Sequence, residues 1–234
     1  MDNILIILTT TVHVNYNKWF IHQGDPNERR DCYLKAINQW LEMTTFKICL
    51  IENSGYTYPE LSTELLLYQD RFEIISYNES EIPELLLLFQ NNSKGSSELY
   101  AIDYAYNHSK FKPTTDFVIK ITGRYFIPDL EPFLIENCIK DRSKERGFYN
   151  SSGRIMALRQ NCDERCELVG SHVDLFSFIF SKNLCNFDGG FHGHVESVYC
   201  NRIKVLNPLN VLTCNEFKIE HTIRGGENMF FDTI

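Results

Sequence analysis

Short apolar runs alternate with longer segments of helical periodicity in the first half of this 234-residue chain. Runs of consecutive apolar residues predict strands that are buried on both faces. Such runs occupy 4–8, 46–51, 72–76 and 117–121. Apolar residues at roughly helical spacing over 30–43 and 96–107 predict two helices. This alternation indicates the α/β class, with an open, mostly parallel central sheet flanked by helices.

The pattern is less regular in the second half of the chain. Strands are predicted over 148–158, 174–181 and 210–220, and a helix is predicted over 195–206. No internal repeat and no linker rich in Gly, Pro or Ser interrupts the sequence. Residues 1–234 are therefore expected to form a single domain.

Polar residues that follow three of the predicted strands indicate where a ligand binds. They are Thr9, Thr10 and Thr11 after the first strand, 52–55 after the second and 122–125 after the fourth. In open α/β sheets, ligands bind outside the carboxyl ends of the strands. The sequence therefore predicts that these three segments converge on one site.

Composition narrows the class of partner. The formal net charge is −8 at pH 7, whereas a general nucleic-acid binder needs a basic surface, so no nucleic-acid partner is expected. Binding of a small phosphorylated ligand is still compatible with this charge, because a local cluster of cations is enough to bind it. The apolar start covers only residues 4–8, too few for a signal peptide or a transmembrane segment. With eight cysteines and no Cys-x-x-Cys pair, a cytoplasmic protein with reduced thiols is expected.

Two segments resemble the GT-A type of glycosyltransferase. They are residues 92–98, with the sequence NSKGSSE, and residues 116–125, with the sequence DFVIKITGRY. In that family a turn containing Asn and Gly opens a helix beside the sugar donor, and the following strand ends at the catalytic edge. The resemblance covers roughly residues 4–130. The sequences of the two segments are especially similar to those of sugar transferases from capsule and surface-glycan gene clusters and from large DNA viruses.

This resemblance implies a GT-A-like single domain that transfers a sugar from a nucleotide-diphosphate sugar, with a UDP-sugar expected, to a hydroxyl of a glycan acceptor. Residues 1–130 would be the nucleotide-sugar-binding half and 131–234 the acceptor-side half. Of the donor-binding residues, the three threonines and Asn53 would contact the nucleoside, and Lys94 and Glu98 the sugar. The complete predicted donor set is Thr9, Thr10, Thr11, Asn53, Lys94, Gly95, Glu98, Lys120, Thr122, Arg124, His221 and Arg224.

The chain departs from the family at the predicted metal site. Most GT-A enzymes carry an Asp-x-Asp sequence that holds a divalent cation on the donor diphosphate, but this chain contains none, and Thr122-Gly123-Arg124 stands in its place. Guanidinium and ammonium groups also neutralise phosphate charge. No metal cofactor is therefore expected, manganese and magnesium are disfavoured, and Lys120, Arg124 and Arg224 are predicted to bind the diphosphate. The competing interpretation is that Lys120 and Arg124 pair with surface carboxylates such as Asp129 and Glu131.

An inverting transferase needs a base that takes the proton of the acceptor hydroxyl. Residues 194–197, with the sequence HVES, followed by Arg202, resemble the segment that supplies this base in related enzymes, so Glu196 is the first candidate. Asp174 is the second. An acidic residue in the first turn of a helix also has a structural explanation, because it interacts favourably with the helix dipole.

Two other functions remain open. A nucleotidyltransferase is disfavoured because no glycine follows the first predicted strand, where such enzymes carry a glycine-rich phosphate loop. A non-catalytic module that binds nucleotide or glycan on a degenerate transferase fold stays open because the Asp-x-Asp sequence is missing. These patterns do not identify the sugar, the acceptor or the oligomeric state.

Overall fold

A seven-stranded sheet forms the centre of the chain in a computed structural model, which describes residues 3–137, 139, 154–162, 165–182, 195–223 and 229–234. The strands lie in the order β3-β2-β1-β4-β6-β5-β7. β6 is antiparallel to both of its neighbours, and the other pairs are parallel. The strands are β1 (Ile4–Thr10), β2 (Lys47–Glu52), β3 (Phe72–Ser76), β4 (Phe117–Thr122), β5 (Ala157–Gln160), β6 (Leu168–His172) and β7 (Val211–Cys214).

Helices cover the sheet on both faces, and a two-stranded sheet lies near the end of the chain. The helices are α1 (Pro26–Met43), α2 (Ser62–Leu67), α3 (Leu86–Gln90), α4 (Lys94–His108), α5 (Leu130–Glu136), α6 (Phe176–Ile179) and α7 (Val195–Lys204). The small sheet pairs β8 (Lys218–Ile223) with β9 (Phe230–Thr233). Every helix in the described ranges is too short or too polar to cross a bilayer.

Successive residues of β1 enter two different cores because side chains alternate between the faces of a strand. Ile6 belongs to the core that contains Trp40 of α1, and Ile7 belongs to the core that contains Leu99 of α4. All seven residues of β1 are buried. The continuous apolar run is thus explained by helices on both faces, and the predicted α/β class with a mostly parallel sheet is confirmed.

Two predictions for the second half are corrected by the structure, and one strand was not predicted. The segment 174–181 is not a strand: a single 3-10 turn leads into α6, where Phe176, Ile179 and Phe180 are buried at helical spacing. Strand β6 is not predicted by the apolar pattern because it is short and contains a glycine, a residue depleted in strands. The predicted strand over 210–220 is two separate strands, β7 and β8. The segment 148–153 lies outside the described residues.

Candidate active site

A cleft of about 1100 Å³ opens at the carboxyl ends of the parallel strands. The Thr11 hydroxyl donates a hydrogen bond to Asn53 Oδ1 at 2.6 Å, which joins the segments after β1 and β2. The amide of Gly123 donates to Thr9 O at 2.9 Å, which joins the turn after β4 to β1. The three strand ends therefore meet at one edge of the sheet, although Thr9 and Thr10 still belong to β1 rather than to a turn.

Most of the predicted site residues line this cleft. They are Thr9, Thr10, Thr11, Asn53, Lys94, Gly95, Glu98, Thr122, Arg124 and Glu196. Lys120, Asp174 and His221 are not among the lining residues, and Arg224 lies outside the described residues.

Glu52 fastens the first two strand ends to each other. Its side chain is buried, and its carboxylate accepts hydrogen bonds from the amides of Val12 at 2.9 Å, Ser54 at 2.8 Å and Tyr56 at 2.9 Å. Burial raises the pKa of Glu52, and these hydrogen bonds oppose that rise because they favour the charged form. The sequence analysis included Glu52 only as the first residue of the segment 52–55, and in the structure Glu52 is not among the residues that line the cleft.

Beneath the cleft, Lys120 forms a buried ion pair. Its side chain has no exposed surface, and Nζ lies 2.8 Å from Glu98 Oε1 and 2.7 Å from Cys166 O. The Thr9 hydroxyl donates to the same Glu98 oxygen at 2.9 Å. Burial alone would lower the pKa of Lys120, but the Glu98 carboxylate raises it above its ordinary value. We call Glu98 and Lys120 the cleft floor.

The cleft floor corrects the diphosphate contact expected for Lys120. The ammonium also donates to Thr122 Oγ1 at 3.2 Å, so all three of its protons have acceptors within the protein. A group enclosed and saturated in this way is not presented to a ligand. The structure gives Lys120 a supporting position under Thr9 and Thr122. Its carboxylate partner is Glu98, which the sequence analysis placed beside the sugar, and not a surface carboxylate such as Asp129 or Glu131.

Arg124 lines the cleft wall. Its side chain is almost buried, with Nη1 donating to Gln23 Oε1 at 2.9 Å and to Ile223 O at 3.3 Å. Only a glycine at position 123 allows this turn to pack on β1, because a Cβ there would lie 2.8 Å from Thr9 O. The contact with Ile223 places the end of β8 beside the cleft.

Arg29 is a second cleft arginine, which the sequence analysis did not identify. Asp25 caps α1 by accepting hydrogen bonds from the amides of Asn27 and Glu28, and Pro26 occupies the first turn. This start puts Arg29 on the inner side of the first helical turn, where it is buried and lines the cleft. In the sequence it stands in a run of charged residues that is typical of a solvated helix face. We call Arg29 and Arg124 the arginine wall.

Glu196 reaches the cleft because α4 and α7 approach each other closely. A Cβ at Gly95 would lie 2.6 Å from the Cβ of Val195, so a larger residue at position 95 would push the two helices apart. Glu196 is half-buried in the first turn of α7. Partial desolvation lowers the pKa of Lys94, and the nearby Glu196 carboxylate opposes this shift. Glu196 and Lys94 are thus neighbours in the cleft.

The structure does not bring Asp174 and His221 into the cleft. His172 at the end of β6 lies opposite Phe117 at the start of β4, so Asp174 is at the other edge of the sheet, where it binds Arg154 at 2.7 Å. The antiparallel direction of β6, which the sequence pattern did not reveal, explains this position. His221 lies in β8 with its side chain exposed, and its Nδ1 is 2.6 Å from Asp232 Oδ1.

Residues 13–25, which we call the strap, supply cleft residues that the sequence analysis missed. The strap is attached to the segment before α4: Lys18 Nζ donates to Leu88 O at 2.7 Å and the amide of Trp19 donates to Asn92 O at 2.9 Å. Trp19 and Phe20 line the cleft while remaining largely exposed. The strap has no regular secondary structure, so no periodicity could have placed it.

No group of three or more His, Cys, Asp or Glu side chains in the described part of the chain is arranged to hold a metal ion. The expectation that no metal is needed stays a prediction for experiment.

The fold and the cleft together define an α/β protein with a cleft at the carboxyl edge of a mostly parallel sheet. No protein-family model matches the chain, and no curated protein matches it. A similar solved structure is the crystal structure of a candidate nucleotide-diphospho-sugar transferase from Desulfovibrio desulfuricans G20. The sequence identity is 13%, the TM-score is 0.48, and the match covers 92% of this chain and 80% of that chain.

Proposed function

We propose that this protein is a glycosyltransferase that moves a sugar from a nucleotide-diphosphate sugar, with a UDP-sugar as the first donor to test, to a hydroxyl of a glycan. The observation that carries the proposal is the content of a single cleft. It combines an almost buried arginine, Arg124, with a half-buried carboxylate, Glu196, at the carboxyl ends of parallel strands. A diphosphate leaving group and an acceptor hydroxyl need these two kinds of group.

In this proposal the donor lies across the strand ends. The nucleoside contacts Asn53 and the threonines at the end of β1, which the Thr11–Asn53 hydrogen bond holds together. The sugar lies toward Lys94 and Glu98. Arg124 contacts the diphosphate, because a guanidinium stays charged at any working pH and bonds phosphate oxygens in pairs.

Glu196 acts as the general base of an inverting displacement. Its carboxylate takes the proton from the acceptor hydroxyl while the hydroxyl oxygen forms a bond to the anomeric carbon. The bond between that carbon and the donor phosphate oxygen breaks, and its electron pair leaves with the nucleoside diphosphate. Positive charge fixed at the diphosphate stabilises the leaving group in the transition state, so the reaction is proposed to run without a metal.

The test is to incubate the protein with a panel of nucleotide sugars in buffer containing EDTA and to measure the released nucleotide by chromatography. Active transferases slowly hydrolyse their own donor, so one donor should give free nucleoside diphosphate faster than the others. Activity that disappears in EDTA and returns with manganese would overturn the metal-independent mechanism. A nucleotide that stabilises the fold without any donor being cleaved would favour the non-catalytic binding module.

A further inference from the structure

Two arginines from distant parts of the sequence meet at one aromatic ring in the cleft. The guanidinium carbon of Arg29 lies 5.6 Å from the centre of the Tyr33 ring, and that of Arg124 lies 5.9 Å from the same centre. Gln23 also joins them, because its carbonyl accepts from Arg29 Nη1 at 3.0 Å and its side-chain oxygen accepts from Arg124 Nη1 at 2.9 Å. Two positive charges are therefore held side by side.

Neither charge is neutralised within the described residues. Arg29 donates only to neutral acceptors, which are Thr11 O at 2.6 Å, Gln23 O and the Tyr33 hydroxyl at 2.7 Å. Both side chains are more than nine-tenths buried, at 8% and 6% exposure. Burial lowers the pKa of Arg29, and the Arg124 guanidinium lowers it further. Buried like charges without a counter-charge destabilise the empty protein.

The two side chains also keep unused donors. A guanidinium has five N–H groups. Arg124 Nη1 makes the only hydrogen bonds of that side chain in the described chain, and its Nε is enclosed without an acceptor. Arg29 has three of its five N–H groups engaged. Arg124 Nη2 donates no hydrogen bond within the described residues and is not enclosed, so its N–H groups can bond an oxygen of a ligand.

We propose that Arg29, Tyr33, Gln23 and Arg124 form a preorganised site for a diphosphate dianion, in which Arg29 is an anion-binding residue equal in importance to Arg124. A diphosphate fits because it carries at least two negative charges and several oxygens, matching two cations with free donors. A carboxylate would neutralise only one of them. This inference rests on the proposed function in assigning the anion to the donor diphosphate, but the site itself requires no turnover.

Isothermal titration in EDTA at low salt tests the site with three probes: inorganic pyrophosphate, UDP and uridine. Pyrophosphate should bind the wild-type protein. Arg29→Gln should weaken pyrophosphate and UDP by about 10- to 100-fold, the loss of a charge-assisted hydrogen bond, while uridine affinity stays the same. Arg30→Gln is the matched control, because Arg30 is the next residue on α1 and pairs with Asp31 at the surface.

Two further variants keep the proposal falsifiable if Arg29→Gln does not fold. Arg29→Lys retains the charge without the paired geometry, so pyrophosphate affinity should fall only partly. Tyr33→Phe removes the hydroxyl that orients Arg29 and should weaken pyrophosphate less than Arg29→Lys does. Wild-type-like pyrophosphate binding in a folded Arg29 variant would overturn the site.

The outcomes separate this inference from the proposed function. Donor turnover by a wild-type protein that does not bind pyrophosphate would overturn the dianion site and leave the transferase proposal standing. Arg29-dependent pyrophosphate binding without turnover of any nucleotide sugar would support the site and count against the transferase.

Discussion

The cleft floor and the arginine wall differ in whether a buried positive charge has a carboxylate partner. Lys120 in the floor is fully enclosed and meets the Glu98 carboxylate at 2.8 Å. Arg29 and Arg124 in the wall are nearly as buried, but their partners are carbonyls, a hydroxyl and an amide oxygen. The two regions are close in the sequence at one point, because Lys120 lies in β4 and Arg124 lies in the turn that follows it.

This difference separates charges that serve folding from charges that serve binding. A buried ion pair is satisfied before any ligand arrives, so its loss affects the folded state. A buried cation without a counter-charge costs stability in the empty protein, so its benefit must come from an anion. Substitution of Lys120 in the floor should therefore change the free energy of unfolding, and substitutions in the wall should change affinity or rate.

The largest effect is expected for Glu196→Gln, which removes the proposed base from the ligand side of the cleft. Turnover should fall by about 10²- to 10⁴-fold because the acceptor proton loses its base. Donor affinity and the melting temperature should stay near wild type, as measured by titration and thermal unfolding. Glu42→Gln, on the exposed side of α1, is the control, and equal turnover in both variants would remove Glu196 from the mechanism.

Lys120→Met should cost about 3–5 kcal/mol of unfolding free energy, because it leaves the Glu98 carboxylate without its buried partner. The double variant Glu98→Leu with Lys120→Met should regain much of that loss. Urea denaturation measures both. Lys35→Met breaks the exposed Lys35–Glu220 pair and should cost less than about 1 kcal/mol. A Lys120 variant as stable as this control would contradict the folding role of the floor.

Arg124→Ala should weaken UDP by about 10- to 100-fold, the range of a charge-assisted hydrogen bond. Arg124→Lys should recover part of the affinity, since an ammonium lacks the paired donors. The unfolding free energy should change much less than in Lys120→Met, because Arg124 has no carboxylate partner among the described residues. If Arg124→Ala lost as much unfolding free energy as Lys120→Met and kept its affinity for UDP, the proposed difference between the arginine wall and the cleft floor would be wrong.

The smallest effect is expected for Thr11→Val, which removes the hydroxyl that joins the segments after β1 and β2. The loss of its 2.6 Å hydrogen bond to Asn53 should cost about 0.5–1.5 kcal/mol of unfolding free energy. Uridine affinity should fall modestly if these segments hold the nucleoside. Thr11→Ser, which keeps the hydroxyl, should behave like the wild type in both measurements.

The location of the site was within reach of the sequence. The apolar runs of β1, β2 and β4 are long and fully buried, so their carboxyl ends could be placed, and with them Thr9, Asn53 and Thr122. The helix predicted over 96–107 was also found, although α4 begins two residues earlier, at Lys94, after the capping residue Ser93. These features depend on neighbouring residues in the chain.

The sequence by itself determined the α/β class and the strand ends that form the cleft, because periodicity is a local property, and a resemblance to a transferase segment supplied the candidate base Glu196 in the first turn of α7. Only the tertiary structure decided which group each charged side chain pairs with. It paired Lys120 with Glu98, set Asp174 at the far edge through the reversed strand β6, and brought Arg29 beside Arg124. The reason is physical: whether a buried charge is neutralised depends on groups far apart in the sequence, and strand direction depends on pairing rather than on hydrophobicity.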